Sequence, residues 1–423
     1  RSRPSRYHEA RLDENSDENG STSEPALPLS GIRVMDIGTF MAGPHAASIF
    51  GEFGAEVLKI EHPAEGDPMR RFGSRTAHED LSLPFLSEAR CRKSVTLDIH
   101  QPEGKTLFLA LVEKSDVLIE NFRPETMENW GLGWDELRAV NPGLVFLRVS
   151  GYGQTGPYRR RSGFAHIAHA FAGLSYLCGF PGETPVVPGT VPLGDYMASL
   201  YGAIGVLIAL RHRDRTGRGQ VIDVAIFESI FRTLEEIAGA YGLYGKVRER
   251  EGAGSFVAVP HGHFRTRDDK WVAIACTTDR MFERLAGAMG RPELASPEKW
   301  GRQLERRAAR DEVNAIVVDW VETLDREEFM RICLDAQVPC GKLNSIADIF
   351  EDEHFKAREM LKSVDVPGVG DVVVPNVIPR LSKTPGRITN LGPELGSATV
   401  EVLETLVGLS SDQIEALRAR KVI

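Results

Sequence analysis

The segment IRVMDIGTFMAGPHAASIFGEFGAEVLKIE (32–61) decides the fold class of this 423-residue chain. Its first seven residues are rich in Ile and Val and predict a strand, and the glycines and the proline that follow predict a turn. A helix is expected from about Pro44 to Phe53, because proline suits the first turn of a helix. The residues AEVLKIE (55–61) predict a second strand. A strand, a helix and a strand within about 30 residues indicate a β-α-β unit with parallel strands.

The same alternation continues to residue 150. Further strands are predicted at 94–99, 116–122 and 144–150, and further helices at 102–114 and 134–140. A long helix is expected from about Asp195 to His212, and QVIDVAIFES (220–229) returns as a strand and then a helix. This alternation predicts an α/β fold, with a mostly parallel, Rossmann-like sheet that is covered by helices on both faces.

A chain of this length normally needs more than one core, so two domains are expected. Residues 1–27 are polar and charged, which predicts disorder. From about Gly252 the sequence pattern changes, and it predicts a hairpin at 261–276 followed by two amphipathic helices. The predicted divisions are a disordered tail at 1–27, a large domain whose first part is 28–230, a small α+β domain at 250–335, and a C-terminal segment at 340–423 that returns to the large domain.

Composition narrows the class of function. The net charge of −9 argues against general binding to nucleic acid or to an anionic membrane. The longest apolar run, 201–210, is too short for a bilayer, which needs about 20 residues. The five cysteines have neither CxxC spacing nor histidines at metal spacing, so we expect reduced thiols, a cytoplasmic protein and no metal site. No signal peptide is predicted.

A glycine motif and a set of basic residues are candidate ligand contacts. Gly151 to Gly156 fits GxGxxG, but a proline and three arginines follow it instead of a helix, so a loop at a strand's carboxyl end is favoured over a dinucleotide site. Six basic residues near predicted strand ends are either solvated surface charge or partners for the phosphates of a phosphorylated ligand. They are Arg70, Arg71, Arg90, Arg92, Lys93 and Arg123.

Asp195 has two interpretations that do not exclude each other. At or near the start of a long helix it is expected to cap that helix through its carboxylate. A carboxylate at a helix N-terminus stays ionised, and Gly194 leaves room for a ligand, so Asp195 is also a candidate nucleophile for acyl transfer. The small residues of the turn 39–44 let a ligand approach the backbone. The closely spaced histidines, His166 and His169 among them, are taken as structural.

Together these segments resemble the class III CoA-transferase family, which includes formyl-CoA transferase and the carnitine CoA-transferases. The resemblance covers nearly all of the chain after residue 29, in the family's order. The matching stretches are 30–70, 92–105, 116–137, 147–158, 163–174, 192–202, 212–228 and 338–349. It implies that the large domain at 28–230 binds CoA and carries the catalytic residue. It also implies an interlaced homodimer, acyl-CoA and carboxylic acid substrates, and no permanently bound cofactor or metal.

The resemblance also implies roles for single residues. Asp195 matches the catalytic aspartate, which forms a mixed anhydride and then a thioester with CoA. The expected CoA contacts are Met41 and Ala42 in the active-site turn, His62 near the adenine, Arg90, Arg92 and Lys93, Asn121, Phe122 and Arg123, and Gly151, Tyr152 and Gly153. Backbone N–H groups near Gly151–Gly153 or Ala42 are candidates to stabilise oxyanions.

Two alternatives stay open. The racemases of 2-methylacyl-CoA in the same superfamily use a histidine where Phe164 stands here, and phenylalanine carries no proton. The chain could also serve as a CoA-binding subunit beside a homologous partner. The segment 82–98 resembles the subgroup that moves CoA from succinyl-CoA to dicarboxylic acids, and spare arginines (Arg70, Arg71, Arg159–Arg161) are candidates for the second carboxylate.

Overall fold

The computed structural model describes residues 26–255 and 257–423, so the predicted tail lies outside the described residues apart from Ala26 and Leu27. Six parallel strands form the main sheet in the order β3-β2-β1-β4-β5-β6. Their bounds are β1 Arg33–Asp36, β2 Glu56–Glu61, β3 Lys93–Thr96, β4 Val117–Glu120, β5 Val145–Ser150 and β6 Val221–Ala225. The predicted α/β class and parallel sheet are confirmed.

The strand order determines where a ligand site can form. The chain starts in the middle of the sheet, fills one side with β2 and β3, and then crosses to β4 on the other side of β1. The connections after β1 and β4 therefore leave the sheet in opposite directions, which opens a crevice at their carboxyl ends. Every residue of β4 and β5 is buried, as expected for central parallel strands covered on both faces.

Between residues 26 and 255, ten described helices accompany this sheet. They are α1 Ala42–Glu52, α2 Leu83–Glu88, α3 Pro102–Glu113, α4 Thr126–Asn129, α5 Trp134–Val140, α6 Ala165–Ala172, α7 Leu174–Leu177, α8 Leu193–Thr216, α9 Ile226–Phe231 and α10 Ile237–Tyr244, with a 3₁₀ turn at Pro68–Arg71. On one face, α1 and α8 pack around Phe50 and Val206. On the other, α3 and α5 pack around Phe108 and Leu137.

The small domain has a hairpin as its first two strands, as predicted, β7 His261–Arg265 and β8 Trp271–Ala275. Residue 340, where the sequence analysis starts the C-terminal segment, begins a third strand of this sheet, β9 Cys340–Lys342. Four helices enclose a separate core around Phe282 and Phe329. They are α11 Asp279–Ala288, α12 Gln303–Ala308, α13 Arg310–Val321 and α14 Arg326–Asp335, with a 3₁₀ turn at Pro292–Ala295.

The rest of the chain packs on the large sheet only with its last part, from Ala398 onward. It contains α15 Ile346–Glu351, α16 Glu353–Ala357, the hairpin β10 Leu361–Val366 and β11 Gly370–Pro375, α17 Thr399–Val402, a π turn Leu403–Val407 and α18 Ser411–Ala419. Leu403, Ile414 and Val422 join the core beneath α3 and α5. The backbone N–H of Asp98 donates to the carbonyl of Val422 at 2.7 Å, which fixes the C-terminus beside β3.

Helix α8 is by length and composition apolar enough to cross a membrane, and 44% of the apolar window is buried within the chain. The uninterrupted apolar run 201–210, on which the sequence prediction rested, is shorter than this helix and did not reveal it. The helix packs against α1 and β5 with its buried face, as a core helix does. Leu200, Ile204 and Ile208 on its other face are each more than half exposed.

Candidate active site

Two cavities lie along the carboxyl edge of the sheet and share Thr39 and Phe122. The first, of about 250 Å³, sits where the strand order reverses between β1 and β4. It is lined by residues 39–42, 121–124, 149–151 and 161–164, with Arg159, Asp195 and Ile226. The second, of about 270 Å³, lies over the ends of β1, β2 and β3. This edge is where open α/β sheets bind their ligands.

Asp195 lies in the first cavity, but it does not cap its helix. Helix α8 begins at Leu193, so Asp195 is its third residue, and Pro192 occupies the cap position. Among the described residues, no N–H or O–H group donates to the Asp195 carboxylate and no cation pairs with it. The predicted capping bond is therefore absent, and both carboxylate oxygens are available to a ligand.

A histidine holds the start of α8 in place of that cap. Nε2 of the buried His169, on α6, accepts the N–H of Gly194 at 2.9 Å, and no partner to Nδ1 occurs in the described chain. Burial, with a smaller contribution from His166, lowers the pKa of His169, so its ring is neutral and Nε2 is free to accept. From the sequence, His169 was expected only to have a structural role. Nothing in the sequence indicated that it would bind Gly194, which lies 25 positions away.

The environment of Asp195 raises the pKa of its carboxyl group from 3.8 to about 7, through burial. Its position at a helix N-terminus had predicted an ionised group. A helix dipole contributes about 0.3–1 kcal/mol, which is less than one pKa unit. Burial outweighs the helix dipole here, so the carboxyl group of the ligand-free chain is only partly ionised at neutral pH.

A pH profile of activity follows from this pKa. Since only the ionised carboxylate attacks a thioester, we expect kcat/KM to rise about tenfold per pH unit below pH 7 and to level off above it. The measurement is the initial rate of CoA transfer at low substrate concentration between pH 5.5 and 8.5. A flat profile over this range would mean that Asp195 is ionised throughout.

The turn that faces Asp195 is fixed by two side chains from other elements. The Asn121 amide brackets Thr39, since its Oδ1 accepts the Thr39 N–H at 2.8 Å and its Nδ2 donates to the Thr39 carbonyl at 2.7 Å. Phe40 has a left-handed backbone, φ 58°, and donates its N–H to Asp67 at 3.1 Å. Such a conformation persists only where its surroundings hold it. Asn121 was predicted to contact CoA, and in the structure it shapes the turn.

The turn leads into the N-terminus of α1. Met41 and Ala42, which the resemblance assigns to the active-site turn, both line the cavity. The buried Ser199 Oγ lies within hydrogen-bonding distance of the carbonyls of Ala42 and Asp195, at 2.6 and 2.7 Å, which ties α1 to α8. The first N–H groups of α1 point out of its N-terminal end, the position in which a helix binds negative charge.

Only part of the glycine loop, residues 151–156, lines the cavity that holds Asp195. Gly151 lines the cavity, whereas Tyr152 and Gly153 do not. Tyr152 packs edge-on against Phe171, and Gly153 donates its N–H to Ser150 Oγ at 2.9 Å. Of this loop and the turn, Ala42 and Gly151 therefore remain as sources of N–H groups for an oxyanion.

Three predicted CoA contacts lie outside both cavities. Arg92 is fully buried and pairs with Asp36 at 2.8 Å, and Arg90 pairs with Glu52 at 2.6 Å. Lys93 pairs with Glu56 and Glu401. These partners come from distant parts of the sequence, so spacing did not reveal them. Contact of these three cations with CoA stays a prediction, and this geometry gives it no support.

The second cavity brings together other predicted contacts. His62 and Phe122 line it, and Trp130 packs edge-on against both Phe122 and His100. This wall offers aromatic faces to a flat, apolar ring. Among the described residues no group of three or more histidine, cysteine or acidic side chains is placed to hold a metal ion.

Comparison with known proteins identifies the family of this chain. A model of CoA-transferase family III matches residues 29–399. The chain is 70% identical to the alpha subunit of the succinyl-CoA–L-malate CoA-transferase of Chloroflexus aurantiacus, over 95% of this chain and 94% of the relative. It is 55% identical to the beta subunit from this species, over 94% and 98% of the two chains.

A solved structure, a CAIB/BAIF family protein from Brucella suis, superposes with a TM-score of 0.80 at 30% identity, over 90% of this chain and all of that one. The resemblance found in the sequence is thus confirmed by the family match, by relatives that span nearly the whole chain, and by the fold. The chain belongs to CoA-transferase family III.

Proposed function

We propose that this protein transfers CoA from succinyl-CoA to a dicarboxylic acid, with L-malate the first acceptor to test, and that Asp195 carries the acyl group between them. The observation that carries the proposal is the accessible, unpartnered Asp195 carboxylate in the cavity at the switch point of the sheet. The relatives named for succinyl-CoA, including one for D-citramalate at 39% identity, support the donor and the dicarboxylate class.

The chemistry is a series of acyl exchanges at one carboxylate. The Asp195 carboxylate attacks the succinyl thioester, which expels CoA thiolate and leaves a mixed anhydride. The thiolate attacks the aspartyl carbonyl, which releases succinate and leaves an aspartyl-CoA thioester. The acceptor carboxylate attacks this thioester and expels the thiolate again, which then takes the new acyl group and restores Asp195. Neither water nor a proton is consumed, and N–H groups of Ala42 or Gly151 stabilise the oxyanions.

The two cavities suit the two ends of the donor. The thioester end lies in the first cavity, beside Asp195. The adenosine end lies in the second, where His62, Phe122 and Trp130 offer ring faces. Thr39, held by Asn121, lies where the cavities meet.

The racemase alternative lacks its proton carrier. Phe164 lines the first cavity, and none of the described residues that line it is a histidine. His169 is buried, does not line this cavity and uses Nε2 to accept the Gly194 N–H, so no histidine base faces Asp195 from the described lining. This arrangement supports transfer over racemisation.

An assay of products tests the proposal. We expect succinyl-CoA with L-malate to yield succinate and malyl-CoA, followed by mass spectrometry, and a panel of D-citramalate, mesaconate, glutarate and acetate to rank the acceptors. Racemisation of a 2-methylacyl-CoA without any CoA transfer would contradict the proposal.

We propose further that the exposed apolar face of α8 is covered by a second copy of this chain. Leu200, Ile204, Leu207 and Ile208 recur at helical spacing and form one stripe, and each of them is at least 46% exposed. Monomers rarely expose so many large apolar side chains together. The alpha and beta names of the relatives make a homologous subunit the alternative partner.

Light scattering on the purified chain is expected to give twice the chain mass, and the double variant Ile204→Glu with Ile208→Glu is expected to shift it toward the monomer. A wild-type monomer at micromolar concentration that pairs only with a homologous chain would contradict self-association.

The five cysteines are free, which supports a reducing compartment such as the cytoplasm.

A further inference from the structure

The three consecutive arginines after β5 differ in their partners. Glu125 pairs with Arg159 at 3.2 Å and with Arg160 at 2.6 Å. Arg161 has no carboxylate partner among the described residues, and its guanidinium lies over the ring of Tyr158, 3.5 Å from the centroid. The loop therefore neutralises two of its cations and leaves the third free.

The free cation faces the nucleophile's cavity. Arg161 lines the cavity that holds Asp195, whereas Arg160 does not. Arg159 also lines it, but its charge is met by Glu125. Arg123 lines it as well and already donates to Ser162 Oγ. Asp195 is the one carboxylate among the described lining residues, so the cavity has an excess of positive charge and fits an anionic ligand.

The CoA part of the substrate does not supply that anion near the reacting carbonyl. The pantetheine arm and the thioester are uncharged, and the phosphates belong to the nucleotide end. The acyl group of succinyl-CoA, by contrast, carries a free carboxylate a few bonds from the carbonyl that Asp195 attacks. A guanidinium fork is suited to a carboxylate, because it donates two parallel N–H bonds.

We propose that Arg161 binds the distal carboxylate of both the donor and the acceptor acid and thereby selects dicarboxylates, an inference that rests on the proposed CoA transfer. Both acids are attached in turn to the same Asp195 carbonyl, so each places its distal carboxylate in the same region of the cavity. One guanidinium then serves both halves of the reaction, and succinate must leave before the acceptor binds.

The test compares Arg161→Gln with the matched control Arg160→Gln, which removes the neighbouring charge outside the cavity lining. The donors are succinyl-CoA and butyryl-CoA, and the acceptors are L-malate and 2-hydroxybutyrate, which lacks the distal carboxylate. A lost hydrogen-bonded charge pair changes affinity roughly 10- to 100-fold. We expect the ratio of kcat/KM for dicarboxylate over monocarboxylate to fall by that factor in Arg161→Gln, for donors and acceptors alike, mainly through KM.

Arg160→Gln is expected to keep both ratios within about twofold of the wild type. Arg161→Lys, which keeps the charge but not the fork, is expected to recover part of the selectivity. If wild-type protein transfers CoA and Arg161→Gln loses equal activity with both classes of acid, or none, Arg161 does not read the distal carboxylate. Absence of transfer in the wild type would instead refute the proposed function itself.

Discussion

Replacing Asp195 with asparagine is expected to abolish CoA transfer, with kcat lower by roughly 10⁴-fold or more, as for other enzymes that lose a covalent nucleophile. The amide keeps the size of the carboxylate but cannot form the anhydride or the thioester. The described cavity lining holds no second carboxylate that could replace it. The measurement is the rate of malyl-CoA formation from succinyl-CoA at saturating substrates.

The stability of Asp195→Asn is the control for folding. The native carboxyl keeps its proton up to a pH of about 7, because burial raises its pKa, whereas the unfolded group loses it near 3.8. The native state thus binds more protons between these values, and stability falls as the pH rises through them. At pH 8 the neutral amide is expected to stabilise the protein, by at most about 4 kcal/mol. An inactive variant with a lowered Tm would point to misfolding instead.

Removing the amide that brackets the active-site turn is the second large effect. Asn121→Ala deletes both hydrogen bonds to Thr39, which lies between the two cavities. The left-handed Phe40 next to it then depends on Asp67 alone among the side chains that hold the turn. We expect kcat to fall roughly 100-fold, the cost of misplacing reacting groups by about 1 Å. Steady-state kinetics with succinyl-CoA measures it.

The matched control for this variant is Asn390→Ala. Asn390 brackets the backbone of Arg92 in the same way, accepting its N–H at 3.2 Å and donating to its carbonyl at 3.1 Å. Each replacement is expected to lower the free energy of unfolding by about 1–3 kcal/mol. Only Asn121→Ala should lose activity per folded molecule, and equal losses in both variants would mean that the turn has no special role.

The sequence was sufficient for the elements that repeat a local pattern. Helix 134–140 was predicted to its last residue, and β2 was predicted to within one residue, because alternating strands and helices with apolar cores carry their own signals. The start of α8 was misplaced by two residues, since the group that holds it, His169, comes from another helix. A local sequence pattern does not reveal a capping group that comes from a distant part of the chain.

The candidate site divides in the same way. Short motifs and the resemblance both identified Asp195, Met41 and Ala42 as site residues, and all three line the cavity. The resemblance of its segment predicted that Arg92 contacts CoA. Its guanidinium instead pairs with Asp36, which lies 56 residues earlier in the sequence. The free charge of Arg161 depends on which arginines Glu125 selects, and three identical neighbours in sequence gave no basis for that choice.

The central claim is that Asp195 becomes covalently bound to the substrate. Protein mixed with succinyl-CoA, without acceptor, is treated with sodium borohydride, which reduces an aspartyl thioester to an alcohol, and is then digested and sequenced by mass spectrometry. We expect the reduced residue at Asp195 alone, and none in protein mixed with free CoA. Full transfer activity in a protein whose Asp195 peptide stays unmodified would contradict the mechanism.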